Sequence, residues 1–366
     1  MRKAQAPMMQ SNQPIERDVV DLDVLAAWMD DQSLPSGPIE DVEELGGGTQ
    51  NVLLRFRRGG DAYVLRRGPK HLRKASNEVM RREQRVLAAL AGSDVPHPRF
   101  IAGCTDETVM NGAVFYLMEP IDGFNATVSL PPLHAGDPAV QHEMGLQTAD
   151  AIARLGAVDH EAVGLADFGK PDGFLERQVP RWQGELASYG QLDGYPGPEI
   201  PGVDEVAAWL DAHRPPTWQP GIMHGDYHLS NVMFAPDGPE LAAIVDWEMC
   251  TIGDPLLDLG WLLATWPEPQ GPGDEAMASV VTGAIGSSTA LPTREELVAR
   301  YAGQTTRDLS AVTWYQVLAC FKLGIVLEGT YARACAGKAP KPIGDMLHAI
   351  TLGLFARARS LIGAAP

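Results

Sequence analysis

The sequence predicts an α+β chain, with a β-rich first part and a larger, mainly helical second part. Three observations predict it. Short β-branched and aromatic runs separated by Gly, Asn and Asp turns fill residues 42–118, the pattern of antiparallel strands joined by tight turns. From about Asp137 apolar residues recur at three- and four-residue spacing, which marks one face of a helix. At 366 residues, 45% hydrophobic and 21% charged, the chain is long enough for two parts with cores of their own.

The elements follow in order. Asp21 is placed to cap a helix whose Leu22, Leu25, Trp28 and Met29 form one apolar stripe, and this helix is expected to dock on the first part. Strands are predicted at 42–45, 52–57 and 62–66, with Gly46-Gly47-Gly48-Thr49-Gln50-Asn51 joining the first two and Gly59-Gly60-Asp61 turning the second into the third. A helix is predicted over 76–90, and Asn111-Gly112 between 108–110 and 113–118 predicts a further hairpin. Glu119-Pro120-Ile121-Asp122-Gly123 breaks the pattern and marks a junction. Beyond it, Asp137-Pro138 reads as an N-cap with Pro at N1, and Thr293-Arg294-Glu295-Glu296 as a capping box. Helices are expected over 312–336 and 342–362, and Pro/Gly clusters at 194–202, 214–221 and 266–273 read as loops.

Composition narrows the function. The formal charge, 29 basic minus 47 acidic residues or −18, disfavours nucleic acid and anionic membrane surfaces as partners. No stretch of membrane-spanning or signal-peptide type is found, so a cytoplasmic protein is expected. Cys104, Cys250, Cys320 and Cys335 are scattered with no paired spacing, which suggests buried thiols rather than zinc ligands or disulfides.

The chemistry lies in two segments, His224-Gly225-Asp226-Tyr227-His228-Leu229-Ser230-Asn231 and Ile244-Val245-Asp246-Trp247-Glu248. Between them, residues 232–234, a Pro/Asp/Gly turn and residues 241–245 read as a hairpin. Antiparallel pairing brings Asn231 and Asp246 together at its open end, where two oxygen ligands suit a hard cation such as Mg²⁺. Asp226, just before, can accept a hydrogen bond from an attacking hydroxyl. One Asp or Asn in a turn is ordinarily structural, but this combination at this spacing predicts phosphoryl transfer. His224 and His228 stand four apart, yet the glycine between them argues for a loop and against a shared zinc.

In the first part, Glu83 falls in the middle of the apolar stripe made by Val79, Met80, Val86, Leu87 and Leu90. An inward carboxylate is costly unless a cation meets it, and Arg66 at the end of the third strand is the candidate. The glycine run 46–48 lets backbone approach a phosphate. Alone it would be an ordinary turn.

These segments resemble the catalytic loop and metal-binding segment of the aminoglycoside phosphotransferase family, whose fold is that of the protein kinases. Gly253-Asp254-Pro255-Leu256-Leu257-Asp258-Leu259 is similar as well, and Asp246-Trp247-Glu248 stands where a eukaryotic protein kinase has Asp-Phe-Gly. The resemblance implies a bilobal kinase-like architecture: residues 1–38 an extension with a helix, 39–118 a nucleotide-binding N-lobe, and 119–366 a catalytic and substrate-binding C-lobe. It implies Asp226 as catalytic base and Asn231 and Asp246 as Mg²⁺ ligands. ATP would lie between the lobes, contacted by Gly46, Gly47, Gly48, Thr49, Gln50 and Asn51, by Arg66 with Glu83, and by the backbone at Glu119 and Ile121. Val64-Leu65-Arg66-Arg67, Arg82-Glu83-Gln84-Arg85-Val86-Leu87 and Phe174-Leu175-Glu176-Arg177-Gln178 resemble the branch related to the kinase-like domain fused to some acyl-CoA dehydrogenases. Arginine replaces the usual lysine at position 66, and the two are not interchangeable on a phosphate.

The expected activity is ATP- and Mg²⁺-dependent phosphate transfer to a hydroxyl of a small molecule, either a hydroxyacyl metabolite or an aminoglycoside- or macrolide-like antibiotic. The alternative is a catalytically impaired, nucleotide-binding module. Asp254 has a sufficient structural role as a helix cap, and Trp182, Trp218, Trp261, Trp266 and Trp314 read as core before they read as a cleft.

Overall fold

The computed structural model describes residues 19–46, 51–267 and 283–364. Gly47, Gly48, Thr49 and Gln50 of the expected phosphate loop lie outside the described residues, as does most of the loop expected at 266–273. The chain divides into two compact units, one holding residues through Ala91 plus Pro98–Ile121, the other Gly92–His97 and everything from Asp122.

In the first unit, helix α1 (Leu22–Asp31) starts at Asp21, whose carboxylate accepts the amides of Asp23 and Val24 at 3.0 and 3.1 Å. Its Leu25, Trp28 and Met29 enter one core with Leu54, Phe56, Leu65, Phe115 and Leu117. The sheet has five antiparallel strands, β1 (Glu40–Glu44), β2 (Val52–Arg58), β3 (Asp61–Arg67), β4 (Phe100–Cys104) and β5 (Phe115–Met118), in the order β1-β2-β3-β5-β4. Gly59 and Gly60, both at positive φ (60° and 93°), close the two-residue β2–β3 turn, the conformation that matches strand twist. Helix α2 (Ser76–Ala89) packs on β4 and β5.

The strand expected at 108–110 is not formed. Asn111 and Gly112 do take positive φ (48° and 84°). However, Asp106 accepts both the amide and the hydroxyl of Thr108 at 2.9 and 2.7 Å, and Gly112 donates to the Glu107 carbonyl at 2.9 Å. The segment closes into successive turns because local side-chain hydrogen bonds compete with pairing, and β5 pairs instead with β4.

The second unit carries α3 (Pro132–Gly136), α4 (Pro138–Ala157), α5 (Gln178–Ser188), α6 (Val203–Ala212), α7 (Leu256–Thr265), α8 (Arg294–Ala302), α9 (Val312–Cys335) and α10 (Lys341–Ala364). Asp137 caps α4 with Pro138 inside the first turn, and Thr293 and Glu296 form the capping box of α8. Helix α7 begins one residue later than Asp254-Pro255 suggested, because Pro255 occupies the cap position; Asp254 still accepts the Leu256 amide at 3.1 Å and the Tyr315 hydroxyl at 2.5 Å. Gly260 lets α7 lie against α9, since a Cβ there would fall 2.5 Å from the Tyr315 carbonyl oxygen. Two short antiparallel ribbons complete the unit, β6 (Gly221–Met223) with β9 (Thr251–Gly253) and β7 (Val232–Phe234) with β8 (Leu241–Ile244). Trp182, Trp261, Trp266 and Trp314 are buried, as are Cys104, Cys250 and Cys320 across the two units, while Cys335 is half-buried. No helix among the described residues is long and apolar enough to cross a membrane.

Candidate active site

In the first unit, Arg66 meets Glu83 in a two-pronged ion pair, Nε to Oε2 at 2.7 Å and the terminal nitrogen to Oε1 at 2.9 Å. Glu83 is fully buried, and the Tyr116 hydroxyl adds a 2.8 Å bond to Oε2. The inward carboxylate therefore has the cation it needs, in the geometry guanidinium favours. Tyr116 was not foreseen; it stands opposite Arg66 in the β3–β5 register, a pairing set by tertiary structure. Glu119 donates its amide to the Arg99 carbonyl at 2.9 Å, and its carboxylate, ion-paired with Arg99, is held below the usual carboxylate range by that bond. Gly46 is exposed and Asn51 and Ile121 are half-buried.

In the second unit, residues 224–231 run from β6 to β7 and are held from several sides. His224 is fully buried, with Nε2 3.0 Å from the Val245 carbonyl and Nδ1 3.4 Å from the Asp226 amide. An amide only donates, so Nδ1 is the acceptor and Nε2 carries the proton. Both ring nitrogens serve backbone groups, which leaves no zinc pair with His228. Asp258 of α7 accepts the amides of His224 at 2.6 Å and Gly225 at 2.8 Å. Burial pushes the Asp258 carboxyl up, by more than those two amide bonds hold it down. Gly225 has φ +88°, and a Cβ there would fall 2.5 Å from the Met249 carbonyl oxygen.

Asp226 follows. Asn231 donates its side-chain amide to the Asp226 carbonyl at 2.9 Å and to Oδ2 at 3.2 Å, and His228 Nε2 lies 3.5 Å from Oδ1. The His228 ring thus serves Asp226. Burial raises the Asp226 pKa, but the bond to His228 and the nearby Lys322 ammonium outweigh it and hold the group at about 2. Its side chain is 37% exposed, so it can still be reached.

The β7–β8 ribbon does what the spacing required. Val232 pairs with Ile244, and the Val245 amide donates to the Asn231 carbonyl at 2.9 Å, which brings Asp246 to the same end as Asn231. Asp246 adopts left-handed backbone (φ 65°, ψ 66°), unusual for a residue other than glycine and a strain that concentrates at functional positions. A carboxylate oxygen of Glu248 lies within 4.8 Å of one on Asp246. Asn231 faces Asp226 with its nitrogen and so has its amide oxygen on the other side. Asn231, Asp246 and Glu248 are an all-oxygen donor set, which fits a hard divalent cation.

Sequence reasoning assigned no role to Glu248, Asp258 or Lys322. The signal was available for two of them: each is a charge flanked by apolar residues on both sides, Leu257-Asp258-Leu259 and Phe321-Lys322-Leu323, an anomaly like the one that singled out Glu83.

Fold and site define the class: an α+β, protein-kinase-like phosphotransferase. The family model described as the phosphotransferase enzyme family, APH, matches residues 41–297, and the chain belongs to that family. Among curated relatives it is 28% identical over 312 residues to acyl-CoA dehydrogenase family member 10 of Mus musculus, covering 83% of this chain and 27% of that one. It is 29% identical over 312 residues to member 11 of Gallus gallus, covering 83% and 38%. The chain thus spans well under half the length of these relatives. Among solved structures, a protein of Ralstonia eutropha JMP134 provisionally assigned as an aminoglycoside phosphotransferase aligns with TM-score 0.75 and 28% identity over 93% of this chain and 99% of the other. The fold is shared with aminoglycoside phosphotransferase APH(4)-Ia in complex with ADP and hygromycin B (TM-score 0.57, 14% identity, 92% and 98% covered). It is shared also with the GDP complex of aminoglycoside 2'-phosphotransferase-IIIa (TM-score 0.56, 16% identity, 91% and 97% covered).

Proposed function

We propose that the protein transfers the γ-phosphate of ATP to a hydroxyl of a small molecule, in a Mg²⁺-dependent reaction, in the cytoplasm. The observation that carries the reading is the placement of Asp226, Asn231 and Asp246 at one end of the β7–β8 ribbon, which the Val245 amide closes on the Asn231 carbonyl. Arg66, oriented by Glu83 and Tyr116, would bind phosphate oxygens together with the backbone of residues 46–51, and the backbone at Glu119 and Ile121 would hold the base. Asn231 and Asp246, with Glu248 beside them, would hold Mg²⁺, which supplies neutralisation of charge on the phosphates.

Asp226 orients the acceptor hydroxyl. The oxygen–phosphorus bond forms as the bridging bond to the β-phosphate breaks, and the hydroxyl proton passes to the Asp226 carboxylate and on to solvent. A carboxylate held at about 2 is a weak base, so its main contribution is alignment, with the proton moving late. This suits phosphoryl transfer, which needs positioning more than deprotonation.

The acceptor we favour is a hydroxyacyl metabolite, because the curated relatives are acyl-CoA dehydrogenase family members; an antibiotic, as for the structural neighbour with hygromycin B, is the other class. Nucleotide-dependent ADP or GDP release, screened with ATP and GTP against hydroxyacyl thioesters, hydroxy acids, aminoglycosides and macrolides, tests the proposal. Turnover by the wild type and its loss in Asp226→Asn are expected. Mg²⁺-dependent nucleotide binding with no transfer to any acceptor would replace the enzyme by a binding module.

A further inference from the structure

We propose that Lys322 is a positioning residue for Asp226: it fixes the Gly225 peptide and keeps a positive charge beside the carboxylate, so that turnover requires its protonated form. The inference rests on the phosphotransferase reading of Asp226. Lys322 lies in the middle of α9, and its Nζ donates to the Gly225 carbonyl at 3.1 Å. The amide of the same residue is taken by Asp258 at 2.8 Å. Gly225 is therefore gripped on both of its peptide groups, by a cation from α9 and a carboxylate from α7. The grip has a purpose at this position. A glycine at φ +88° has the widest backbone freedom in the loop, and any rotation there would swing Asp226 off line.

The surroundings are built for a cation. Nζ stands over the Trp261 ring, 4.4 Å from its centroid, and 5.7 Å from that of Trp182, the arrangement in which indole faces attract ammonium. The charged groups acting on it are Asp226 and Asp258, which favour the ammonium, and Arg181, which opposes it; His224 faces Asp258 and Asp226 from the loop side. The cavity beside Lys322, Trp261, Asp258 and Gly225 is about 10 Å³, room for one water at most. Lys322 thus serves the loop and not a ligand. Burial pulls its pKa down to about 8 despite the two carboxylates, so the charge is lost within an ordinary assay range.

Two measurements test the proposal. The first needs no acceptor. In protein carrying isotope-labelled lysine, the NMR signal absent from Lys322→Arg is followed with pH, and its midpoint is expected near 8 in the wild type and lower by ~1 unit in Asp226→Asn, because an attractive charge has been removed. The second is the pH dependence of kcat with ATP and the best acceptor of the panel. Lys322→Met should lower kcat by ~10–100-fold with the nucleotide KM within ~2-fold, as expected for lost alignment, and should abolish the alkaline decline; Lys322→Arg should keep most activity and move the decline to higher pH. An ordinary lysine midpoint insensitive to Asp226→Asn, or an alkaline decline that persists in Lys322→Met, would overturn the proposal. Coupling between the two groups in a wild type that transfers phosphate to nothing would sink the phosphotransferase reading and uphold the coupling.

Discussion

Arg66 and Glu83 form two parallel hydrogen bonds of 2.7 and 2.9 Å, with the carboxylate removed entirely from solvent. Removing one member leaves the other charge buried alone. Arg66→Met should destabilise the protein by ~3–5 kcal/mol, whereas a double replacement by Met and Leu should recover much of that loss, because a buried pair exchanged whole for apolar groups is close to neutral. Denaturant unfolding of the single and double variants measures both.

Asp226 is the proposed catalytic residue, and turnover is expected to depend on it. Asp226→Asn keeps the side-chain volume and removes the acceptor charge, so kcat should fall by ~10²–10⁴-fold while nucleotide affinity stays within ~2-fold. The depressed pKa also carries a sign for stability. Below its unfolded value near 3.9 the unfolded chain binds this proton while the folded one, titrating at about 2, resists it. The stabilisation is complete above pH ~4 and is lost as pH falls toward 2. The difference between wild type and Asp226→Asn in acid unfolding isolates it.

Glu248 is expected to share the cation with Asp246, its carboxylate oxygen lying within 4.8 Å. Asp246→Asn and Glu248→Gln should each raise the Mg²⁺ concentration for half-maximal activity by ~10-fold or more, since each removes one charged oxygen ligand. A Mg²⁺ titration at saturating nucleotide reads this directly. A Glu248→Gln curve superimposed on the wild type would confine the site to Asn231 and Asp246.

Gly225→Ala tests the loop geometry without touching a polar group. The added methyl meets the Met249 carbonyl oxygen at 2.5 Å in a backbone of φ +88°, so the loop must shift. A shift of ~1 Å is enough to cost ~10²-fold in rate. Steady-state kinetics should show the loss in kcat, with nucleotide binding retained.

Lys322 should affect stability and catalysis with opposite signs at alkaline pH. Its folded pKa is lowered to about 8, below the unfolded value of ~10.4. Between those values the unfolded chain binds more protons, so this group alone makes the fold more stable as pH rises, even as the proposed catalytic charge is lost. Buried Tyr315 and Cys320, whose ionisation burial pushes up, act in the opposite direction. The wild type minus Lys322→Met difference in unfolding free energy across pH 8–10 separates the two.

The parts of this protein legible in the sequence are those set by residues close along the chain. Asp21, Asp137 and Thr293 cap helices because a short polar side chain reaches amides two or three residues on. A ribbon turning between residues 234 and 241 brings Asn231 and Asp246 to the same end, since antiparallel strands return to their start. Glu83 announced a buried cation through its place in an apolar stripe. Tertiary structure alone decided which strand pairs with β5, because turns at 106–113 outcompeted a local hairpin, and which side chains surround the Asp226 carboxylate. Asp258 and Lys322 come to Gly225 from 33 and 97 residues away. The reason is physical: capping and pairing register are short-range hydrogen-bond choices, whereas the partner of a buried charge is whichever group helix packing delivers to it.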